Sequence, residues 1–259
     1  MSYKIVFFDI DGTLVNEQKL VPADTVKAIK ELQETGVEAV IATGRAPYFF
    51  GPLAQELGIN SFVSLNGAYV VYQGKPLYKN PIPRSSLEAL VAYSSEKNHS
   101  LVFEGSEAFF ANSESHVFVE DSVLSLRVEL PGYDPDFWKK EDIYQVFLHC
   151  EAHEEHLYEP KFPDLKLIRW HEKAMDVLPA GGSKAKGIEA MLKMLGIQPH
   201  EAVAFGDGLN DKEMLEYVGL GIAMGNSHKE LLPFADYVTA SVDEGGIRQG
   251  LHYAHLIHA

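Results

Sequence analysis

The sequence predicts an α/β protein with a parallel-sheet core and an inserted α+β domain. Three features carry that prediction. Short apolar runs alternate with amphipathic helical stretches at both ends of the chain, the rhythm of βαβ units. The middle loses that rhythm and shows paired strand candidates instead. Turn-forming residues mark both changes: Pro81 and Pro83 on one side, Pro179-Ala180-Gly181-Gly182 on the other. The core is therefore expected over residues 1–82 and 183–259, with the insertion over 83–182.

Tyr3 to Phe8 is a β-rich apolar run that stops at Asp9. Pro22 to Glu34 carries Val26, Ile29 and Leu32 at helical spacing and ends before Gly36. Val37 to Ala42 is a second buried-type run, followed by Thr43-Gly44-Arg45. Pro47 suits the start of a helix that reaches Leu57-Gly58. Ile59 to Leu65 is a third run, ending at Asn66-Gly67. In the last part, Lys184 to Leu195 places Ile188, Met191, Leu192 and Leu195 on one helical face. Strands follow at Ala202 to Phe205, Leu220 to Met224 and Tyr237 to Thr239, with helices from Asp211 to Tyr217 and from Glu244 to the end. Within the insertion, Leu101 to Glu104 and Ala108 to Ala111 flank Gly105 as a hairpin, and further strands are expected at Ile143 to His149, Leu165 to Trp170 and Ala174 to Leu178.

The chain has 259 residues, enough for one large domain or two modest ones, and its 46% hydrophobic content supports a real core. A formal charge of −15 removes any bulk attraction to nucleic acid or anionic lipid. Cys150 is the single cysteine, so no intrachain disulfide forms, which fits a reducing compartment. The first apolar run is too short for a signal-peptide core, and no stretch approaches the ~18 apolar residues of a membrane span. A cytoplasmic protein, monomer or homodimer, with a small-molecule partner is expected.

Functional groups of open α/β sheets collect beyond the carboxyl ends of the strands. Four polar clusters fall at or beside such ends: Asp9-Ile10-Asp11-Gly12-Thr13, Thr43-Gly44-Arg45, Ser183-Lys184, and Gly206-Asp207-Gly208-Leu209-Asn210-Asp211. Together they supply carboxylates, a lysine, a threonine and an asparagine, a set suited to phosphoryl chemistry on Mg²⁺. Hard carboxylate oxygens select such a cation, and Asp9 and Asp207 are its natural ligands. Gly12 lets the loop fold its N–H groups around phosphate oxygens. Lys184 offers a point charge to the same oxygens and Thr43 a neutral donor, with Lys186 a competitor for the lysine role. Asp9 can act as nucleophile, and Asp11 as the acid that protonates the leaving oxygen and the base that activates water. That task requires Asp11 to be protonated part of the time, beside other carboxylates. Arg45 either reaches substrate or pairs with a core carboxylate.

The blander readings divide unevenly. Asp-x-Asp-Gly is common in turns, but an EF-hand register fails from Asp9, where Thr13, Leu14 and Leu20 stand at its diagnostic positions, and from Asp207, where Leu209 does. No Walker A loop exists, because neither Lys184 nor Lys186 follows a glycine. His149, Cys150, His153 and His156 have suggestive spacing for zinc but lack a closed ligand set, and Glu151 to Tyr158 reads as a solvated helix. Phe103, Phe109, Phe110 and Trp170 read as core of the insertion, with a few able to face a leaving group.

These motifs resemble the haloacid dehalogenase superfamily of phosphatases, and more closely its Cof-type sugar-phosphatase branch. Phe7-Phe8-Asp9-Ile10-Asp11-Gly12-Thr13-Leu14 resembles the first family motif, Ala42-Thr43-Gly44-Arg45 the second, Lys184 the third, and Gly206 to Asp211 the fourth. The resemblance covers nearly the whole chain. It implies a Rossmann-like core with a mobile C2B (class IIB) cap, and a Mg²⁺-dependent phosphomonoester hydrolase of small, sugar-phosphate-like metabolites working through an aspartyl-phosphate. Asp9 would be the nucleophile and Asp11 the general acid/base, with Thr43 and Lys184 on the phosphoryl group. Gly12, Gly44, Arg45 and Asn210 would serve the substrate phosphate, Asn210 by positioning it or Lys184. The metal would rest on Asp9, the Asp11 carbonyl and Asp207, with Asp211 in support through water. One departure stands out: branch members often have Gly directly after the third-motif lysine, and here Ala185-Lys186-Gly187 follows. Two other functions remain open: a phosphomutase or phosphotransferase with the same nucleophile, and a signalling module phosphorylated on Asp9, which the nearby Asp11 argues against.

Overall fold

The computed structural model describes residues 3–258. They form two compact units. The larger comprises the chain through Arg45, Phe50–Tyr78, and Ser183 onward; the smaller comprises Ala46–Phe49 and Lys79–Gly182. The first crossing thus falls before Lys79, and residues 46–49 make a separate excursion that the punctuation by proline and glycine did not announce.

In chain order the first elements are β1 (Ile5–Phe8), α1 (Ala23–Glu34), β2 (Glu38–Ala42), α2 (Gly51–Glu56), β3 (Phe62–Ser64), β4 (Tyr69–Tyr72) and β5 (Lys75–Lys79). Then come α3 (Arg84–Glu96), β6 (Ser100–Glu104), β7 (Phe109–Ala111), α4 (Val117–Ser125), β8 (Gly132–Tyr133), α5 (Phe137–Lys140), β9 (Gln145–His149), β10 (Leu165–His171) and β11 (Ala174–Pro179). The last are α6 (Lys184–Leu195), β12 (Ala202–Gly206), α7 (Lys212–Tyr217), β13 (Leu220–Ala223), β14 (Tyr237–Val238) and α8 (Gly246–Tyr253).

The larger unit is an eight-stranded sheet in the order β14-β13-β12-β1-β2-β3-β4-β5. Its strands run parallel from β14 to β3, and β4 returns antiparallel to β3. Both faces are covered, which is why β1 reads as an unbroken apolar run. Val6 and Phe8 face a core shared with Ile29 and Leu32 of α1 and Ile247 and Leu251 of α8. Ile5 and Phe7 face the opposite core, with Ile188 and Met191 of α6 and Met214 of α7. The chain leaves β1 toward β2 on one side and returns at β12 on the other. The winding of the chain therefore reverses between the parallel strands β1 and β12, and residues just past both strands lie at the same edge of the sheet.

Several expected elements are shorter or new. The helix expected from Pro47 is a single 3-10 turn at Pro47–Phe49, followed by α2. The β4–β5 hairpin was not anticipated. It turns at Gln73 and Gly74, both with positive φ, as a tight two-residue hairpin requires. The last helix stops at Tyr253 rather than at the chain end, with His255 in the left-handed region just beyond.

The smaller unit is a six-stranded sheet in the order β10-β11-β9-β6-β7-β8, antiparallel except for β7 with β8. Leu87 and Leu90 of α3 pack with Leu101, Phe103, Val146 and Val177 on one face. Val119 and Val123 of α4 pack with Val102, Ala111 and Phe147 on the other. His149 and Cys150 are core residues here. His149 Nε2 lies 3.0 Å from Ser122 Oγ, and its Nδ1 lies 3.2 Å from the Ser100 carbonyl. Residues 152–157 form a 3-10 segment rather than an α-helix.

Candidate active site

Asp9 directly follows β1, Asp207 follows β12, and Thr43 follows β2. Parallel pairing aligns these strand ends: Phe8 is level with Phe205 and with Ile41. Lys184 opens α6, whose preceding Ser183 caps the helix by accepting the Lys186 N–H. The close approach of α6 to the chain after β3 depends on glycine. A Cβ at Gly67 would lie 2.0 Å from the Ser183 carbonyl oxygen, and one at Gly187 would lie 2.7 Å from Gly67 Cα. Gly187, three residues after Lys184, is the glycine of α6 at this contact.

Lys184 is fully buried and bridges two carboxylates. Its Nζ donates to Asp9 Oδ1 at 2.5 Å and to Asp211 Oδ1 at 2.7 Å. The other oxygen of Asp211 accepts the backbone N–H groups of Asp207 and Gly208, both at 3.0 Å. Asp211 therefore ties the lysine to the loop that carries Asp207. Lys186 is 62% exposed and pairs with Glu189, so the lysine at the carboxylates is Lys184, whose side chain is 1% exposed. Burial opposes its charge, but the two carboxylates outweigh burial and hold its pKa above the usual lysine range.

Oxygens of Asp9, Asp207 and Asp211 lie within 4.8 Å of one another. Burial pushes the Asp9 carboxyl well above the ordinary carboxylate range despite Lys184, with the neighbouring Asp211, Asp207 and Asp11 adding to the rise. Burial and the Asp211 charge likewise push Asp207 up to about 7. Such a set carries more negative charge than one lysine offsets. A hard divalent cation is the group that its oxygens fit. Gly12 is part of this arrangement: with φ +75° and no Cβ, it leaves room for Asp207, whose Oδ2 would otherwise lie 2.1 Å away. Thr13, which sequence reasoning gave no role, donates to Asp207 Oδ1 at 3.4 Å.

Asp11 stands apart from the expectation. It is held by cations rather than set only among carboxylates. Arg45 forks onto it, Nε to Oδ2 at 2.7 Å and Nη2 to Oδ1 at 2.6 Å, and Lys19 Nζ adds a contact of 2.5 Å to Oδ1. Burial alone would raise its pKa; Arg45 and then Lys19 overcome that and lower it. Arg45 thus takes the carboxylate-pairing role of its two readings. No signal in the sequence pointed to Lys19, because the contact depends on the loop from Asp11 folding back.

Thr43 is buried, and its Oγ1 accepts the Arg45 N–H at 3.1 Å. Its carbonyl accepts the N–H of Asn66, a buried residue in the left-handed region. Gly44 leaves space for the Asn66 side chain, which a Cβ would approach to 3.1 Å. The Asn210 amide donates to Asn66 Oδ1 at 3.5 Å. Asn226 also joins the site, donating to the Gly12 carbonyl at 2.8 Å.

A family model described as haloacid dehalogenase-like hydrolase matches residues 6–251. The chain belongs to this family. The haloacid dehalogenase-like chain is 43% identical to "Putative phosphatase YkrA" of Bacillus subtilis, over 95% of this chain and 96% of that one. It is 48% identical to a hypothetical protein of known crystal structure from Geobacillus kaustophilus, with a TM-score of 0.94 over 99% of this chain and 100% of that one. A solved subclass IIB sugar phosphatase, BT4131, superposes with a TM-score of 0.86 at 30% identity, over 98% of this chain and all of the other. The protein is a phosphatase of the haloacid dehalogenase type, and its smaller unit is the cap of that fold. No helix among the described residues is long and apolar enough to cross a membrane.

Proposed function

We propose that the protein hydrolyses phosphomonoesters of small, hydroxylated, sugar-phosphate-like metabolites through an aspartyl-phosphate on Asp9, with Mg²⁺ as cofactor. The observation that carries this reading is the buried lysine shared by Asp9 and Asp211, with Asp207 beside them. Asp9, the Asp11 carbonyl and Asp207 would hold the metal, and Asp211 would support it. When bound, the cation neutralises the approach of carboxylate to phosphate. Oδ2 of Asp9 attacks phosphorus while Lys184 keeps Oδ1 oriented. The ester oxygen leaves and takes a proton from Asp11. Water then attacks the phosphoryl group, gives its proton to Asp11, and releases inorganic phosphate with the Asp9 carboxylate restored. Asp11 performs the first step only after a proton replaces the Arg45 and Lys19 contacts on one of its oxygens. Lys184 and Thr43 serve the phosphoryl oxygens. The solved sugar phosphatase of the same fold supports the sugar-phosphate class.

Phosphate release from a panel of sugar phosphates, nucleotides and an aryl phosphate, with Mg²⁺ and with EDTA, tests the reading. Metal-dependent release that disappears in Asp9→Asn is expected. Full turnover by Asp9→Asn would overturn the nucleophile assignment, and release of an isomerised sugar phosphate in place of free phosphate would identify a mutase.

A further inference from the structure

Two cations of the larger unit share a single acid. Arg45 reaches Asp11 through Nε at 2.7 Å and Nη2 at 2.6 Å, and Lys19 through Nζ at 2.5 Å. Among the described residues, neither cation is ion-paired with any other carboxylate. All three side chains reach solvent, with Lys19 35%, Arg45 19% and Asp11 41% exposed, so a soluble ligand has access to them. The lysine is delivered by a specific turn. Its backbone φ is +63°, a region that residues with long side chains seldom adopt. The Lys19 N–H donates to the Asn16 carbonyl at 2.9 Å, and the Leu20 N–H donates to Asn16 Oδ1 at 3.1 Å. Asn16 in turn is anchored by its Nδ2, which donates to Asp243 Oδ1 at 2.8 Å.

A guanidinium fork alone satisfies both oxygens of a carboxylate. With Lys19 added, Asp11 Oδ1 accepts from two donors, and the cluster of Asp11, Arg45 and Lys19 carries one net positive charge. When Asp11 turns one oxygen toward the ester oxygen of a bound substrate, it gives up contacts that the cations made to that oxygen. The fork and the ammonium fit another carboxylate or a phosphate as well as they fit Asp11. We infer that Lys19 and Arg45 form an oxyanion subsite that selects phosphate esters bearing a second anionic group, a carboxylate or a further phosphate, near the ester oxygen. This rests on the role of Asp11 in the phosphatase reading above and adds a charged group to the leaving moiety. The second oxyanion takes the contacts that Asp11 releases, and only hydrogen bonds are exchanged. An ester oxygen held by Asp11 is one hydrogen bond from a carboxyl group that both cations touch. It therefore lies within about 8 Å of their nitrogens, the reach of a short carbon skeleton. A neutral hydroxyl at the same place leaves the released cation without a counter-charge.

Three esters on one two-carbon skeleton test this: hydroxyethyl phosphate, phosphoglycolate and ethylene glycol bisphosphate, with a hydroxyl, a carboxylate and a phosphate at the same position. Glycerol 2-phosphate and 2-phosphoglycerate make a matched three-carbon pair. Phosphate release with Mg²⁺ would be measured for the wild type, Lys19→Met and Lys19→Arg. Calorimetric titration of the same compounds into each protein in the Asp9→Asn background reads binding without turnover. The wild type should favour an anionic ester over its hydroxyl counterpart by about tenfold or more in kcat/KM, the scale of one hydrogen bond between charged groups. Lys19→Met should remove most of that preference and Lys19→Arg should keep it; the ratio of two substrates does not depend on the fraction of active protein. A preference for carboxylate alone or for phosphate alone supports the subsite and names its oxyanion. No preference in the wild type, or one unchanged in Lys19→Met, would overturn the inference. Equal losses on charged and neutral esters would limit Lys19 to positioning Asp11 and overturn it as well. Lys19-dependent binding of an anionic ester, with no phosphate released from any compound, would keep the subsite and overturn the hydrolase reading. Absence of both turnover and binding for every anionic ester would overturn the subsite.

Discussion

Replacing Lys184 by Met removes one positive charge from a site where it offsets two buried carboxylates at 2.5 and 2.7 Å while keeping the unbranched, apolar bulk of the side chain. Removing one partner of a buried ion pair typically costs about 3–5 kcal/mol, because a charge is left without compensation. Here the cost has a ceiling. The Asp9 carboxyl is already raised by burial and is lowered mainly by Lys184, so in the variant its pKa rises further and Asp9 keeps a proton to higher pH. The variant's native state then holds more protons than its unfolded state, and stability falls as pH rises, by up to about 1.4 kcal/mol per pH unit. In the wild type the folded Lys184 pKa lies above its unfolded value, so the lysine's own contribution is fully present below the ordinary lysine range and is lost only at strongly alkaline pH. The deficit should therefore be near 3 kcal/mol in mildly acidic buffer and larger in mildly alkaline buffer. Mg²⁺ should recover part of it by binding only the folded form. The assay must report on the larger unit. Trp138 and Trp170 both lie in the cap, so tryptophan fluorescence would miss the event, and amide exchange of α6 under urea is suitable. A variant within about 0.5 kcal/mol of wild type in both buffers would refute the reasoning, since that is the scatter of ordinary surface changes. Lys186→Met is the matched control and should change neither stability nor turnover by a comparable amount, because its pair with Glu189 is exposed.

Gly12→Ala places a Cβ against Asp207 Oδ2 at a backbone φ of +75°. Turnover should drop by about a hundredfold, the scale of losing one preorganised electrostatic group, and calorimetry should show weaker Mg²⁺ binding. Unchanged metal affinity would remove Asp207 from the metal set. In the cap, burial pushes the His149 pKa down to about 3, with the charges of His116 and His171 adding to it and the Ser100 carbonyl opposing. The unfolded chain takes up that proton near the ordinary value of ~6.5, so stability is complete above this pH and declines as pH falls toward 3, by about 1.4 kcal/mol per unit. Here tryptophan fluorescence is the right probe, and His149→Gln should flatten the decline; an identical slope in the variant would assign the acid sensitivity elsewhere.

The legible parts of the molecule were those fixed by local sequence. A strand buried on both faces writes itself as a short apolar run, and α6 is marked at both ends, by Ser183 and by Gly196 in the left-handed conformation. Asp9 and Asp207 were readable because each sits one residue past such a run. What escaped depends on folding back. The segment of α4, Val117–Ser125, is rich in β-branched valine and has no clean helical stripe, so nothing in it argued for a helix. The Lys19 contact with Asp11 and the Thr13 contact with Asp207 arise from the turn in which Gly12 donates to the Val15 carbonyl. Glu104 looked like the polar end of a strand. It is buried, and its partners across the sheet are Phe109 and Gln145, both outside its own strand.

The excursion of residues 46–49 into the cap changes what counts as a module. The aromatic group of Tyr48, Phe49 and Phe109 joins chain segments about sixty residues apart. Recombination that swapped residues 79–182 between relatives would deliver Phe109 and Glu104 without the tyrosine and phenylalanine that pack there. Inheritance of a new cap as a cassette would then leave a mismatched aromatic patch, to be repaired by substitution just after the second motif. Diversification of such enzymes by cap exchange should therefore leave paired changes in two separated stretches of sequence.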